Sequence, residues 1–302
     1  MMDNRRNFIR KVIAAGALAS AGVSLPLTLP AAPASQKGKA SLNLSFQEGV
    51  APGKSLNEKL DYMEKLGIVG FEPGGRGLKN RVKEIKQALD GRNIKVSAIC
   101  AGFEGWLIAE DPEKRKQCME STKEILAAGS ELGSVGMILV PGFNGQQPSL
   151  QMPKAREILL EQLKELAEYA KQRNTAVILE PLNRGEAWFL RLLADAAAMC
   201  REIDSPGLTC LGDFWHMTHE ETSDRGAFIS AGKYLGYVHM ASRKRRSMPG
   251  EDGEADNYID GFKGLKEIGY QGYVSFECGT KGKREETVPA AVKLLREQWK
   301  KA

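Results

Sequence analysis

Short apolar runs alternate with longer amphipathic segments from about residue 40 to the end of the chain. Eight of these runs are rich in Val, Ile, Leu and aromatic residues, which is typical of buried strands. A segment with apolar residues three and four positions apart follows each run, which is typical of helices. The eight runs are ASLNLSF, IVGFEP, KVSAICAG, GMILVPG, AVILEPL, LTCLGDF, YVHMAS and YVSFECG. Strands separated by helices pair in parallel, because a parallel pair needs a long crossover connection.

Eight such units in about 260 residues match a (β/α)8 barrel, the TIM barrel fold. The alternative is an open doubly wound sheet. That fold often carries G-x-G-x-x-G after its first strand, and this chain has no such motif there. We therefore predict an α/β protein with one (β/α)8 domain over residues 35–302. In this fold the active-site groups lie at the C-terminal ends of the strands.

The first 34 residues have the pattern of an export signal. A basic start, NRRNFIRK, precedes the apolar run VIAAGALASAGVSLPLTL and the small-residue end Ala32-Pro33-Ala34. The pair Arg5-Arg6 resembles a twin-arginine signal. The alternative is an uncleaved membrane anchor, but Gly and Pro interrupt the apolar run, which is short for a span. We predict cleavage, export to the periplasm or beyond, and no stable membrane insertion of the mature chain.

The charge and the cysteines exclude several other classes of protein. The net charge is +5, and the first 34 residues carry +3 of it, which leaves 5 − 3 = +2 for the rest. So small a charge does not predict a nucleic-acid partner. The five cysteines are odd in number, widely spaced and without C-x-x-C, so no disulfide framework is predicted.

One ionisable side chain ends each of the last four predicted strands. These are Glu180 in AVILEPL, Asp213 in LTCLGDF, His239 in YVHMAS and Glu277 in YVSFECG. Three partly desolvated carboxylates at one end of a barrel would repel one another, and a divalent cation removes that repulsion. Three carboxylates and one imidazole suit Mn²⁺, Co²⁺, Mg²⁺ or Zn²⁺. The alternative is four unrelated loop residues, and the common register of all four favours a metal site.

The same residues lie in motifs that resemble the sugar phosphate isomerase/epimerase superfamily, the xylose isomerase-like TIM barrels. The pattern is nearest to ketose 3-epimerases and hydroxypyruvate isomerases, and it is dense over residues 176–280. The resemblance implies that Glu180, Asp213, His239 and Glu277 bind one divalent metal. It also implies a homo-oligomer, although no segment of the sequence indicates an interface.

Three further positions match motifs of that superfamily. EPLNRGE contains a second glutamate, Glu186; DFWHM contains His216; and HMASRKRR has Arg245 six residues after His239. The resemblance implies that Glu186, His216 and Arg245 bind the substrate. His219 has no assigned role, and we expect a surface position. Glu72, in GFEPGG, either lines the pocket or caps a turn.

The resemblance implies proton abstraction next to a carbonyl. Glu180 would remove the proton on one face of the sugar and Glu277 would return one on the other, through an enediolate. We predict an exported metal-dependent isomerase or epimerase that acts on a non-phosphorylated ketose or keto acid. Two alternatives stay open: a lyase or hydratase of 3-keto-glycosides with the same site, and a metal-dependent sugar-binding protein without turnover.

Overall fold

The structure is a computed structural model that describes residues 40–302, so the predicted export signal lies outside the described residues. In residues 40–302, nine parallel strands form one sheet. They are β1 (Asn43–Gln47), β2 (Gly70–Glu72), β3 (Lys95–Val96), β4 (Ile99–Cys100), β5 (Met137–Leu139), β6 (Val177–Leu179), β7 (Leu208–Asp213), β8 (Leu235–Met240) and β9 (Tyr273–Phe276).

The α-helices lie between and after these strands. They are α1 (Leu56–Lys65), α2 (Val82–Leu89), α3 (Pro112–Glu131), α4 (Met152–Lys171), α5 (Leu193–Ile203), α6 (Phe214–Glu220), α7 (Asp224–Ala231), α8 (Ile259–Glu267) and α9 (Arg284–Lys301). Within residues 40–302, none of the helices combines the length and the apolar character that a membrane crossing requires.

The sheet closes almost completely into a barrel. Its order is β3-β2-β1-β9-β8-β7-β6-β5-β4, and its two end strands, β3 and β4, are halves of a single predicted run, KVSAICAG. Across that seam the Gly75 amide donates to the Cys100 carbonyl oxygen at 3.0 Å, and Gly74 pairs with Cys100. Eight strand positions with helices between them confirm the predicted (β/α)8 fold.

The barrel interior is packed and mostly apolar. One layer consists of the buried side chains of Ala98, Ile138, Ile178, Leu211 and Tyr237, contributed by five strand positions. A larger cluster packs the outer faces of the strands against the helices. Burial of one such aliphatic or aromatic side chain is worth about 1.5–3 kcal/mol. The packed interior therefore gives the strand ends above it a rigid support.

One short helix at the rim departs from the predicted pattern. The run LTCLGDF is predicted to end its strand at Asp213, and β7 does end there, but α6, which begins at Phe214, is not among the predicted helices. The Asp213 carboxylate accepts a hydrogen bond from the Trp215 amide at 2.7 Å, and thereby caps the first turn of α6. The chain turns into a helix at this point, which places the side chains of α6 over the barrel mouth.

Candidate metal centre

The four residues predicted as metal ligands meet at the C-terminal end of the barrel. Each of them offers one ligand atom, and these four atoms all lie within 4.8 Å of one another. Glu180 directly follows β6, Asp213 ends β7, His239 lies in β8 and Glu277 follows β9. Asp213 and His239 are register partners, so adjacent parallel strands place them side by side. The convergence thus follows from where each residue stands on its strand.

Two polar atoms of this cluster are buried without a hydrogen-bond partner among the described residues: Oε1 of Glu180 and Nδ1 of His239. Nδ1 lies 3.5 Å from Glu180 Oε1 and 3.0 Å from Glu277 Oε2. Buried polar atoms are nearly always hydrogen-bonded or bound to a metal. Ligands about 2.2 Å from a common cation lie at most about 4.4 Å apart, so a small contraction of the cluster suffices. The residues present therefore fit a divalent cation.

The two glutamates differ in their affinity for protons. Burial raises the pKa of Glu180 to about 7, and the neighbouring Glu277 and Asp213 carboxylates add to this increase. Burial acts in the same direction on Glu277, but the charges of His239 and Arg246 outweigh it, so the pKa of Glu277 lies well below its usual range. Pairs of carboxylates with separated pKa values are typical of acid–base sites.

The His239 ring is held from the opposite edge. Its Nε2 lies 3.1 and 3.2 Å from the two carboxylate oxygens of Glu72, the last residue of β2. The pKa of His239 is raised well above its ordinary value: burial would lower it, but Glu72 and Glu277 outweigh that effect. The sequence alone leaves Glu72 open between lining the pocket and capping a turn. The structure places it against a predicted metal ligand.

His216 points a single donor toward the cluster. Its Nδ1 accepts hydrogen bonds from the Asn183 backbone amide at 3.0 Å and from Asn183 Nδ2 at 2.8 Å. The proton of the neutral ring is therefore on Nε2, which lies 3.6 Å from Asp213 Oδ2 and has no hydrogen-bond partner in the part of the chain described. Burial is the main reason that the pKa of His216 is lowered. A neutral imidazole with a free N–H suits a substrate oxygen.

Arg246, and not the predicted Arg245, reaches the cluster. Its Nη2 lies 2.5 Å from Glu277 Oε2 and 3.2 Å from Asp213 Oδ2, and its guanidinium is 4.7 Å from the centre of the Trp215 ring. Arg245 turns away: its side chain is 59% exposed and pairs with Asp252 at 2.7 Å. Arg246 has a left-handed φ of 51°, a backbone conformation that Arg245 does not share.

The other predicted positions lie at the edge of the site or outside it. Glu186 is partly exposed, and its Oε1 lies 3.8 Å from Nη1 of Arg246, so it belongs to the rim. His219 is exposed and packs edge-on against Trp215, as expected of a surface residue. The site residues predicted from the sequence do not include Arg246 or Asn183, and the sequence does not predict the contact of Glu72 with His239. EPLNRGE contains Asn183, but nothing in that motif indicates which side chain it orients.

Comparison with known proteins agrees with this geometry. Residues 60–298 match the family described as the xylose isomerase-like TIM barrel. The chain belongs to this family. Sugar epimerases are among its relatives. The 3-dehydro-D-guloside 4-epimerase of Escherichia coli is 33% identical over 232 residues, which are 74% of this chain and 87% of that protein.

A second relative and one solved structure extend this comparison. The D-psicose 3-epimerase of Ruminiclostridium cellulolyticum is 30% identical over 230 residues, 72% of this chain and 76% of the relative. The crystal structure of the apo form of 3-keto-D-glucoside 4-epimerase from E. coli superposes with a TM-score of 0.76 at 27% identity. The superposition covers 85% of this chain and 99% of that one. The predicted resemblance to the superfamily is thus confirmed.

Proposed function

We propose that this protein is an exported, divalent-metal-dependent epimerase or isomerase of non-phosphorylated sugars. The observation that carries the proposal is the pair Glu180 and Glu277, which come from non-adjacent strands and flank His239 Nδ1 at 3.5 and 3.0 Å. The two carboxyl groups differ in proton affinity, and a site that only binds a sugar needs no such pair. A cation held by the four ligands would act as a Lewis acid toward the substrate's oxygens.

The two glutamates divide the proton transfer. The carboxylate of Glu180 takes the proton from the carbon next to the carbonyl, and the electron pair of that C–H bond passes to the carbonyl oxygen as an enediolate forms. Glu277, on the other side of the sugar, takes up a proton from solvent and returns it to carbon. Return to the opposite face inverts the stereocentre, whereas return to the former carbonyl carbon gives an isomer. The pKa of Glu180, raised to about 7 by burial, suits a general base that works near neutral pH.

Charged and polar neighbours stabilise the negative charge that develops on the substrate's oxygens. Arg246 presents its guanidinium at the cluster, and Nε2–H of His216 has no other acceptor among the described residues. Donors held in place before the reaction are worth far more in a buried site than in water. Glu186, on the rim, is placed to accept a hydrogen bond from a sugar hydroxyl.

Relatives and the predicted export narrow the substrate class. The two relatives above carry the names of a 4-epimerase of a 3-dehydro-guloside and a 3-epimerase of a free ketose. Both names describe inversion at a carbon next to a carbonyl. Phosphorylated sugars are scarce outside the cytoplasm, so the predicted signal favours a free ketose, a keto acid or a 3-keto-glycoside. Elimination from a 3-keto-glycoside is the second candidate, because it begins with the same proton abstraction.

Deuterium exchange tests the proposal. The mature chain, loaded with Mn²⁺ and freed of it before spectra are taken, is incubated in D₂O with ketohexoses, hydroxypyruvate and a 3-keto-glucoside. We expect deuterium at the carbon next to the carbonyl of one of these compounds. The product then distinguishes an epimer, an isomer and an eliminated glycoside.

Matched variants assign the exchange to the site. Glu277→Gln keeps the volume of the side chain and removes its proton transfer, so we expect exchange to fall by at least about 100-fold. Arg245→Ala, outside the cluster, serves as the control and should exchange at the wild-type rate. Wild-type exchange in Glu277→Gln, or none in a wild-type protein that binds Mn²⁺, would contradict the proposal.

A further inference from the structure

The barrel interior contains a polar network directly beneath the candidate metal centre. Glu72 is its hub: the Oε1 atom accepts from Gln47 Nε2 at 2.9 Å, and the Oε2 atom accepts from the Tyr237 hydroxyl at 2.8 Å. Both oxygens also face Nε2 of His239. The contact between Glu72 and His239 joins residues 167 positions apart in the chain. The network thus connects one side of the barrel with a predicted metal ligand on the other.

We propose that Glu72 is a positioning residue for the metal centre, fixed in turn by Tyr237 and Gln47. It holds the ring of His239 so that the lone pair of Nδ1 points at the cation. The inference rests on the proposed metal site, and it adds a role for β1 and β2, which contribute none of the four predicted ligands. Glu72 is not itself a ligand, because it lies at the Nε2 edge of the ring while the cluster lies at the Nδ1 edge.

The side chain of Glu72 is completely enclosed by other groups of the protein. The side chain of Glu72, like that of His239, is 0% exposed, so contact with solvent does not explain its presence there. A carboxylate is costly to bury, and three converging donors are the usual means by which a protein keeps one ionised. A barrel interior of this size is otherwise filled by apolar side chains. Three converging donors therefore hold the Glu72 carboxylate in place beside His239.

The network continues below Tyr237 to the floor of the barrel. The Tyr237 hydroxyl is 2.7 Å from Ser97 Oγ, which is 2.7 Å from Ser45 Oγ, and both serines are fully buried. Ser97 Oγ also lies 3.2 Å from the Phe71 carbonyl oxygen, a second possible acceptor for its proton. The hydroxyl of Tyr237 is thus held on two sides, and its donor is aimed at Glu72.

An acceptor at Nε2 fixes both the tautomer and the angle of a metal-binding imidazole. With the proton held on Nε2 by a carboxylate, Nδ1 is free to bind a cation, and the ligand becomes more basic. Removal of such a partner typically weakens metal affinity about 10- to 100-fold. This loss should appear in metal binding itself, before any substrate is added.

Calorimetric titration of the metal-free protein with Mn²⁺ tests the inference without relying on turnover. We expect the dissociation constant to rise about 10- to 100-fold in Glu72→Gln, and less in Tyr237→Phe, which removes only one of the three donors. Ser45→Ala is the matched control: it shortens the network at its far end and leaves every contact of Glu72 in place. It should bind Mn²⁺ as the wild type does.

Glu72→Asp separates positioning from simple charge. Aspartate keeps the negative charge but is one methylene shorter, so the contact of about 3 Å with Nε2 is lost. Positioning predicts weak Mn²⁺ binding in Glu72→Asp as well, whereas a purely electrostatic role predicts near wild-type affinity. Wild-type affinity in either Glu72→Asp or Glu72→Gln would overturn the inference.

The ring itself offers a spectroscopic signature, since the chain has only three histidines. In ¹⁵N spectra of the Zn²⁺-loaded wild type, we expect His239 and His216 each to hold a proton on Nε2 and none on Nδ1, and only the Nε2–H signal of His239 should shift in Glu72→Gln. Equal Nε2–H signals in the two proteins would contradict the contact. If wild-type protein binds no Mn²⁺ through Asp213, the proposed function itself fails; if it does and Glu72 variants bind equally well, only this inference fails.

Discussion

Replacement of each of the two adjacent arginines separates the sequence-based assignment from the structural one. The motif spacing assigns substrate binding to Arg245, but the guanidinium of Arg246 is the one that lies 2.5 Å from Glu277 and 3.2 Å from Asp213. We expect Arg246→Ala to lose most of its activity and Arg245→Ala to retain it. The two changes remove the same charge from neighbouring positions, so each is a control for the other.

The magnitude of the effect follows from the surroundings of each side chain. Loss of one pre-positioned donor to developing negative charge costs about 10²- to 10³-fold in kcat, which is the expected effect of Arg246→Ala. Arg245 is 59% exposed, and its partner Asp252 also accepts from Ser242 Oγ and from the Lys244 amide. The buried Asp252 carboxylate keeps these other donors, and Arg245 lies outside the cluster, so Arg245→Ala should stay within about twofold of wild-type activity.

Metal affinity distinguishes loss of a substrate-binding group from loss of the metal. Arg246 carries a positive charge beside two of the predicted ligands, so it repels a cation bound there. Removal of the Arg246 guanidinium should therefore leave Mn²⁺ binding at least as tight as in the wild type. Arg246→Lys keeps the charge and loses the planar fork, so we expect intermediate activity.

Steady-state kinetics on the substrate identified by deuterium exchange, together with Mn²⁺ titration, provide the assay. The reasoning is refuted if Arg245→Ala loses activity while Arg246→Ala keeps it. It is also refuted if Arg246→Ala loses its metal, because the guanidinium would then support the ligands and not the substrate.

Three further predictions concern the metal, the pH and the barrel seam. Asp213→Asn keeps the side-chain oxygen that caps α6, whereas Asp213→Ala removes it. Titration should show weakened Mn²⁺ binding in both variants. Thermal unfolding should show a loss of about 1 kcal/mol in stability only in the alanine variant. Glu180, with its pKa raised from 4.5 to about 7, and His239, with its raised pKa, hold protons in the folded metal-free protein that the unfolded chain releases at lower pH. The Tm without metal should therefore fall as the pH rises from 5.5 to 8, and the increase in Tm on adding Mn²⁺ should grow. A Tm that rises over this range would contradict the raised pKa values of Glu180 and His239. A Cβ on Gly75 would lie 1.9 Å from a backbone carbonyl oxygen across the seam, while a Cβ on Gly74 would meet nothing within 4 Å. Denaturant unfolding should therefore show that Gly75→Ala lowers the free energy of unfolding by at least about 2 kcal/mol, and that Gly74→Ala changes it little.

Much of the fold and the four predicted ligands can be derived from the sequence, because both depend on short-range order. An apolar run followed by an amphipathic segment specifies a strand and a helix, and eight repeats specify the barrel. A residue that ends a strand is carried to the C-terminal rim whatever the details of packing. This is why the positions of Glu180, Asp213, His239 and Glu277 along their strands are enough to group them in one site.

Only the tertiary structure decided which side chains surround those ligands. The motif spacing favours Arg245, whereas the structure places Arg246 at the cluster and Arg245 against Asp252. Glu72 reaches His239 across 167 residues of chain, a contact that exists only because the barrel closes. A position along a strand is a local property, but the direction of a loop side chain and the partner of a buried carboxylate are set by packing between distant segments.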